Sequence, residues 1–173
     1  MPVAWGLPMS EPSAPPATGA ATPGAAFDAS ILHHISRASR AVIAAYDPAF
    51  APYGLTGHQF NLMTTLAGLG PLTVGALADA LGMDPSGVPR AIRPLAELGY
   101  IEVVRGEDRR QRVISLSSSG RDRMDAATPA WSRVQGELTD AIGEDRWSAL
   151  MSELRALRQA AAACSTRKPA RPG

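Results

Sequence analysis

The run from Thr73 to Leu116 constrains the fold more than any other part of this chain. Thr73 can cap a short helix whose apolar stripe is Val74, Leu77, Ala78 and Leu81, and Gly82 stops it. After a tight Gly-Met-Asp turn, Asp84 is placed as an N-cap with Pro85 at the first helical position, where a missing N–H costs nothing. In the helix that follows, Val88, Ile92 and Leu95 fall on one side and Ser86, Arg90, Arg93 and Glu97 on the other. The period then changes. Ile101–Arg105 and Arg112–Leu116 are short runs rich in β-branched residues, joined by the charged loop Gly106-Glu107-Asp108-Arg109-Arg110-Gln111. Helix, tight turn, helix and hairpin is the plan of a winged helix-turn-helix.

The flanks extend this core with helices. A first helix is expected from about Asp28 to Asp47, with Ile31, Ile35, Val42 and Tyr46 on one face and Pro48 and Pro52 ending it. A second opens at Thr56, where Gln59 completes a capping box and Phe60, Met63 and Ala67 follow at helical spacing, before Gly68, Gly70 and Pro71 close it. Beyond the hairpin, Ser117 or Ser118 caps a long helix carrying Met124, Trp131, Val134, Leu138 and Ile142. A last helix carries Trp147, Leu150, Met151, Leu154 and Leu157. The expected fold is mainly α with a small β-hairpin wing: a six-helix winged helix-turn-helix dimerising through its N- and C-terminal helices. Residues 1–26 are Pro- and Ala-rich with Glu11 the only charge, a composition that cannot offset its ordering entropy, and are expected to be disordered. Residues 27–55 then form an N-terminal dimerisation helix, 56–117 the winged DNA-binding domain, 118–164 the C-terminal dimerisation helices and 165–173 a disordered tail. Apolar stripes on helices at both ends of so short a core call for a two-fold mate, although the same helices could complete a monomeric core.

The polar face of the fourth helix has two readings. A short side chain followed by two arginines suits base edges and phosphates in a major groove. The bland reading is a solvated face on which Arg93 and Glu97 form an i, i+4 ion pair. The wing favours the first: Arg105, Arg109, Arg110 and Arg112 crowd a loop that could be a solubilising β-turn, but it follows the helix-turn-helix directly on strands of the right length, as a wing entering a minor groove does. Of 17 basic residues only Lys168 is a lysine, which suits phosphates and guanine edges but also follows from base composition alone. Pro89 and Pro94 lie inside the proposed reading helix, and Pro94 should bend it near Arg90, whose carbonyl loses its donor.

Several stretches resemble MarR-type regulators. They are Thr73-Val74-Gly75-Ala76-Leu77-Ala78-Asp79-Ala80-Leu81-Gly82-Met83-Asp84, Ile92-Arg93-Pro94-Leu95-Ala96-Glu97-Leu98-Gly99-Tyr100-Ile101, and above all Gly106-Glu107-Asp108-Arg109-Arg110 followed by Val113-Ile114-Ser115-Leu116-Ser117. Gly54-Leu55-Thr56-Gly57-His58-Gln59-Phe60 is similar to the family's entry to its second helix, so the resemblance spans about residues 28–160. It implies a homodimer on double-stranded DNA with a pseudo-palindromic operator, usually a repressor released by a small-molecule ligand or by oxidation. It further implies that Asp108 braces the wing with an ion pair, that Arg110 enters the minor groove, that Arg90 and Arg93 serve the major groove and its phosphates, and that Thr73 holds a phosphate at the start of the third helix. Thr73, Ser86, Gly87, Pro89, Arg90, Arg93, Arg109, Arg110 and Arg112 are the expected DNA-facing set; the ligand site is unknown.

Other classes find less support. There is no glycine-rich phosphate loop, metal cluster or nucleophile motif, so neither an enzyme nor a cofactor is expected. His33 and His34 are adjacent and point in different directions, and His58 sits on another helix, so no metal site is expected of them. Cys164, the single cysteine, permits no intrachain disulfide; a redox-responsive regulator would need it to find a resolving partner. No apolar run could span a bilayer and no secretory signal is visible, so a cytoplasmic protein is expected. The remaining rival is a winged helix used only as a protein-interaction module.

Overall fold

In the computed structural model, residues 30–106 and 111–166 are described. The chain divides into two units, with the boundary between Val42 and Ile43 inside the first helix. Six α-helices and a three-stranded sheet make up the described residues: α1 Ile31–Phe50, α2 Gly57–Leu69, β1 Leu72–Thr73, α3 Val74–Leu81, α4 Val88–Glu97, β2 Ile101–Arg105, β3 Arg112–Leu116, α5 Ser118–Ile142 and α6 Glu144–Thr166. Single 3-10 turns occupy Ala51–Tyr53 and Pro85–Gly87.

Local chemistry sets most of the boundaries. At α2 the capping box is complete: Gln59 N–H donates to Thr56 Oγ1 at 3.2 Å, and Gln59 Oε1 accepts from Thr56 N–H at 2.8 Å. Thr73 caps α3 by accepting from Ala76 N–H at 3.2 Å, and Ser117 caps α5 by accepting from Gly120 N–H at 3.0 Å. Helix α4 ends in a Schellman arrangement, Tyr100 N–H to Leu95 O and Gly99 N–H to Ala96 O, with Gly99 at φ 72° where a side chain would be strained.

Four boundaries differ from the sequence reading. Helix α1 begins after Ser30, whose Oγ accepts from His33 N–H at 3.3 Å. It also runs through Pro48 to Phe50, so that proline does not end it. Pro94 and Pro129 likewise lie inside α4 and α5. In each case the residue four positions earlier (Ala44, Arg90 or Asp125) is exposed, so water can satisfy the carbonyl that lost its donor. Burial of Ala49 and Phe50 just beyond Pro48 offsets the lost hydrogen bond. The third difference is at Asp84, which opens a 3-10 turn rather than α4 itself. Helix α6 continues to Thr166, two residues into the expected tail. The expected disorder of residues 1–26 falls outside the described residues.

In the larger unit the core gathers Phe50, Leu55, Phe60, Met63, Leu66, Leu77, Val88, Leu95, Ile101, Ile114, Leu116 and Ala127. Phe50 stacks on Phe60 with ring centroids 4.4 Å apart, joining the end of α1 to α2. The sheet order is β1-β3-β2, antiparallel throughout. Ile114 and Leu116 point inward from β3, whereas β2 buries only Ile101 before the hairpin leaves the core. Residues 30–42, in the smaller unit, present Ile31, Leu32, Ile35 and Val42 to solvent; Trp131, Leu150 and Leu154 are exposed on α5 and α6 of the larger.

Candidate nucleic-acid interface

Helix α4 is divided as its periodicity predicts: Val88, Ile92 and Leu95 are buried, while Arg90, Arg93 and Glu97 are exposed. The buried row locks the helix to the core, so the orientation of the polar row is set by packing. Pro89 falls in the first turn of α4, because the 3-10 turn takes up Pro85–Gly87, and there it costs no hydrogen bond. Gly87 is half-buried beside Met83, whose Cε would lie 3.2 Å from an added Cβ, so a side chain there would have to displace the end of Met83. Asp84 Oδ1 accepts from both Ser86 N–H, at 2.8 Å, and the Ser86 hydroxyl. The side-chain bond first, and the backbone bond second, hold the Asp84 carboxyl below the usual aspartate range. With its proton directed at Asp84, the Ser86 hydroxyl offers an incoming group lone pairs, not a donor.

The two arginines differ. Arg93 Nε donates to Glu97 Oε1 at 2.7 Å, the ion pair of the bland reading, and that bond raises the arginine's already high pKa. Arg90 has no ion-pair partner among the described residues.

A second cationic group lies at the base of the wing. Gly106 N–H donates to Gln111 O at 2.9 Å, closing the loop, and the register sets Arg105 directly opposite Arg112. Like charges facing across a ladder are unfavourable in isolation, and neither arginine has an acidic partner among the described residues. Arg112 also lines a cleft with Gln111, Thr73, Val74 and Gly75 at the start of α3. Thr73 pairs with Val113 in the sheet, so the third helix and the wing are tied together at the residue expected to hold a phosphate. Arg105, one of the wing arginines the sequence singles out, and Gln111 lie outside the expected DNA-facing set; the equal lengths of the two strand runs are the signal for the Arg105–Arg112 pairing. Asp108, Arg109 and Arg110 lie outside the described residues.

No group of three or more metal-ligating side chains occurs among the described residues, and no helix there is long and apolar enough to cross a membrane. Cys164 is exposed on α6, His58 is exposed in the first turn of α2, and the rings of His33 and His34 meet edge to face at 5.7 Å.

Together α2, α3, α4 and the β2–β3 hairpin define a winged helix-turn-helix protein. The MarR family model matches residues 53–111. The M. tuberculosis transcriptional regulator MosR, in a crystal structure with DNA, is 31% identical at a TM-score of 0.72, over 78% of this chain and 98% of MosR. The Bacillus subtilis HTH-type transcriptional regulator YwoH is 24% identical over 117 residues, 67% of this chain and 85% of YwoH. BpsR of Bordetella bronchiseptica, whose DNA binding is regulated by 6-hydroxynicotinic acid, shares the fold at a TM-score of 0.68 and 20% identity, over 76% of this chain and 95% of BpsR. The chain belongs to the MarR family of transcriptional regulators.

Proposed function

We propose that this protein is a homodimeric, cytoplasmic repressor that binds a pseudo-palindromic operator in duplex DNA and is released by a small organic ligand. The observation that carries the reading is the pair of cationic groups on one winged unit: Arg90 and Arg93 on the exposed face of α4, and Arg105 facing Arg112 at the wing base. A polyanion relieves the second group's repulsion, and the first offers the donors that base edges need. The contact set is Thr73, Ser86, Gly87, Pro89, Arg90, Arg93, Arg109, Arg110 and Arg112, with Asp108 bracing the wing. The crystal structure of MosR with DNA supports the choice of partner.

The mate is another copy of the chain. Exposed apolar side chains on residues 30–42, and separately on α5 and α6, need a cover, and two-fold symmetry would set two α4 helices about 34–36 Å apart, one turn of DNA. A cleft between α2 and α4, floored by Leu62, Met83 and Ala91 and rimmed by His58, Asn61 and Arg90, gives an organic effector a seat against a reading residue.

A gel-shift titration of the full chain against its own upstream intergenic DNA tests this, at two salt concentrations and with competitor DNA. The proposal requires a sequence-preferring complex that weakens steeply with salt. No complex even at low salt would instead leave a protein-interaction module.

A further inference from the structure

The two arginines on the outer face of α4 are held differently, and the difference bears on what each can read. Arg93 is tied through Nε to Glu97 one turn later, at 2.7 Å, with the two side chains 78% and 62% exposed. So exposed a pair adds little to stability. Its geometry has another consequence. Among the described residues the Nη groups of Arg93 have no hydrogen-bond partner, so four of the five guanidinium N–H bonds stay available. Those two groups make the bidentate contact to O6 and N7 of guanine.

A phosphate could take the same groups, and charge separates the two. Arg93 and Glu97 together are neutral, so a phosphate approaching the Nη edge meets the Glu97 carboxylate just behind it. A guanine edge carries no net charge and loses nothing. The clamp joins residues one turn apart, so the Arg93 side chain is directed along the helix face. Holding the side chain there removes rotamer freedom before DNA arrives.

We propose that Glu97 is a positioning residue that commits Arg93 to a guanine edge instead of a phosphate, leaving unpaired Arg90 as the backbone-seeking cation of the same helix face. This rests on α4 being the helix that enters the major groove. Glu97 is then a specificity device, a carboxylate that lowers general DNA affinity and sharpens base choice.

The test begins with the full-length protein and a pool of random duplex DNA, from which an operator is selected. Fluorescence anisotropy then compares wild type, Glu97→Ala, Glu97→Gln and Arg93→Ala on that operator, on versions with each guanine replaced, and on an unrelated duplex, across a salt series. Glu97→Ala is expected to bind the unrelated duplex more tightly and to steepen the log–log salt dependence by about 0.9, one added phosphate contact. Its preference for the operator should fall about tenfold, within the range of one bidentate base contact, through lost discrimination at one guanine. Arg93→Ala should lose discrimination at that same guanine. Glu97→Gln keeps an oxygen that accepts from Nε–H, so it should recover most of the operator preference while retaining the steeper salt slope. Unchanged preference and slope in Glu97→Ala overturn the proposal, as does a Glu97→Gln protein no more selective than Glu97→Ala. Failure of wild type to select any sequence would remove the reading of α4 and this proposal with it. Selective wild-type binding with silent Glu97 variants removes this proposal alone.

Discussion

Replacing Gly120 by alanine should destabilise the protein, although glycine to alanine within a helix ordinarily stabilises by about 1 kcal/mol. Gly120 lies in the first turn of α5, and a Cβ added there would sit 2.1 Å from the Tyr100 carbonyl oxygen and 2.9 Å from Leu116 Cδ1. Reaching ordinary contact needs a retreat of roughly 1.3 Å by a backbone group in a packed interior, a change of the overpacking kind that costs about 1–3 kcal/mol. The same turn is bonded to α5 three times: Ser117 N–H to Tyr100 O at 3.0 Å, and the Ser117 and Ser119 hydroxyls to Gly99 O at 2.7 and 2.8 Å. Each such bond contributes about 1 kcal/mol, and moving the turn weakens all of them. After subtracting the helix-propensity gain, the net loss is about 2–4 kcal/mol, or roughly 5–15 °C in Tm for a chain of this size. Thermal melts followed by circular dichroism, at one protein concentration, measure it. Gly68→Ala is the control: an exposed helical glycine with nothing within 4 Å of its added Cβ, expected to hold or gain stability. A Gly120→Ala protein melting at or above wild type would refute the argument that the α4–β2 turn is packed immovably against α5.

Thr56→Ala removes half of the α2 capping box and should cost about 1 kcal/mol in urea denaturation. Arg112→Ala should weaken binding to all duplexes alike and flatten the salt dependence by about 0.9, while its melting temperature stays level or rises slightly because the facing Arg105 loses a like charge. Tyr46 donates its phenol proton to Gln135 Oε1 at 2.7 Å, so Tyr46→Phe should cost about 1 kcal/mol at neutral pH. Burial pushes the Tyr46 pKa up, so the folded state keeps this proton longer than the unfolded one; its contribution is complete below the ordinary tyrosine value of about 10 and is lost as pH rises through the folded value. The stability gap between wild type and Tyr46→Phe should therefore narrow in alkaline melts.

What the sequence determined by itself was every feature whose cause lies within a few residues. The caps at Thr56, Thr73 and Ser117, the stop at Gly82, both wing strands and the buried row Val88, Ile92 and Leu95 follow from hydrogen bonds and periodicities that span one turn or a two-residue alternation. Tertiary structure decided the rest. Pro48 stays helical because distant core residues bury Phe50 beyond it, and local preference argued the other way. Strand β1 exists only because Leu72 and Thr73 meet Ile114 and Val113, far along the chain. Nothing local to Gly120 announces that the Tyr100 carbonyl occupies the space of its missing side chain. For the interface, sequence spacing put Arg90, Arg93 and Glu97 on one face of a helix. Packing of the opposite face against the core turned that row outward, and the hairpin register brought Arg105 to face Arg112. Hydrogen bonding within a turn depends on nearest neighbours, whereas burial and strand pairing depend on which distant segments arrive, and only the folded chain settles that.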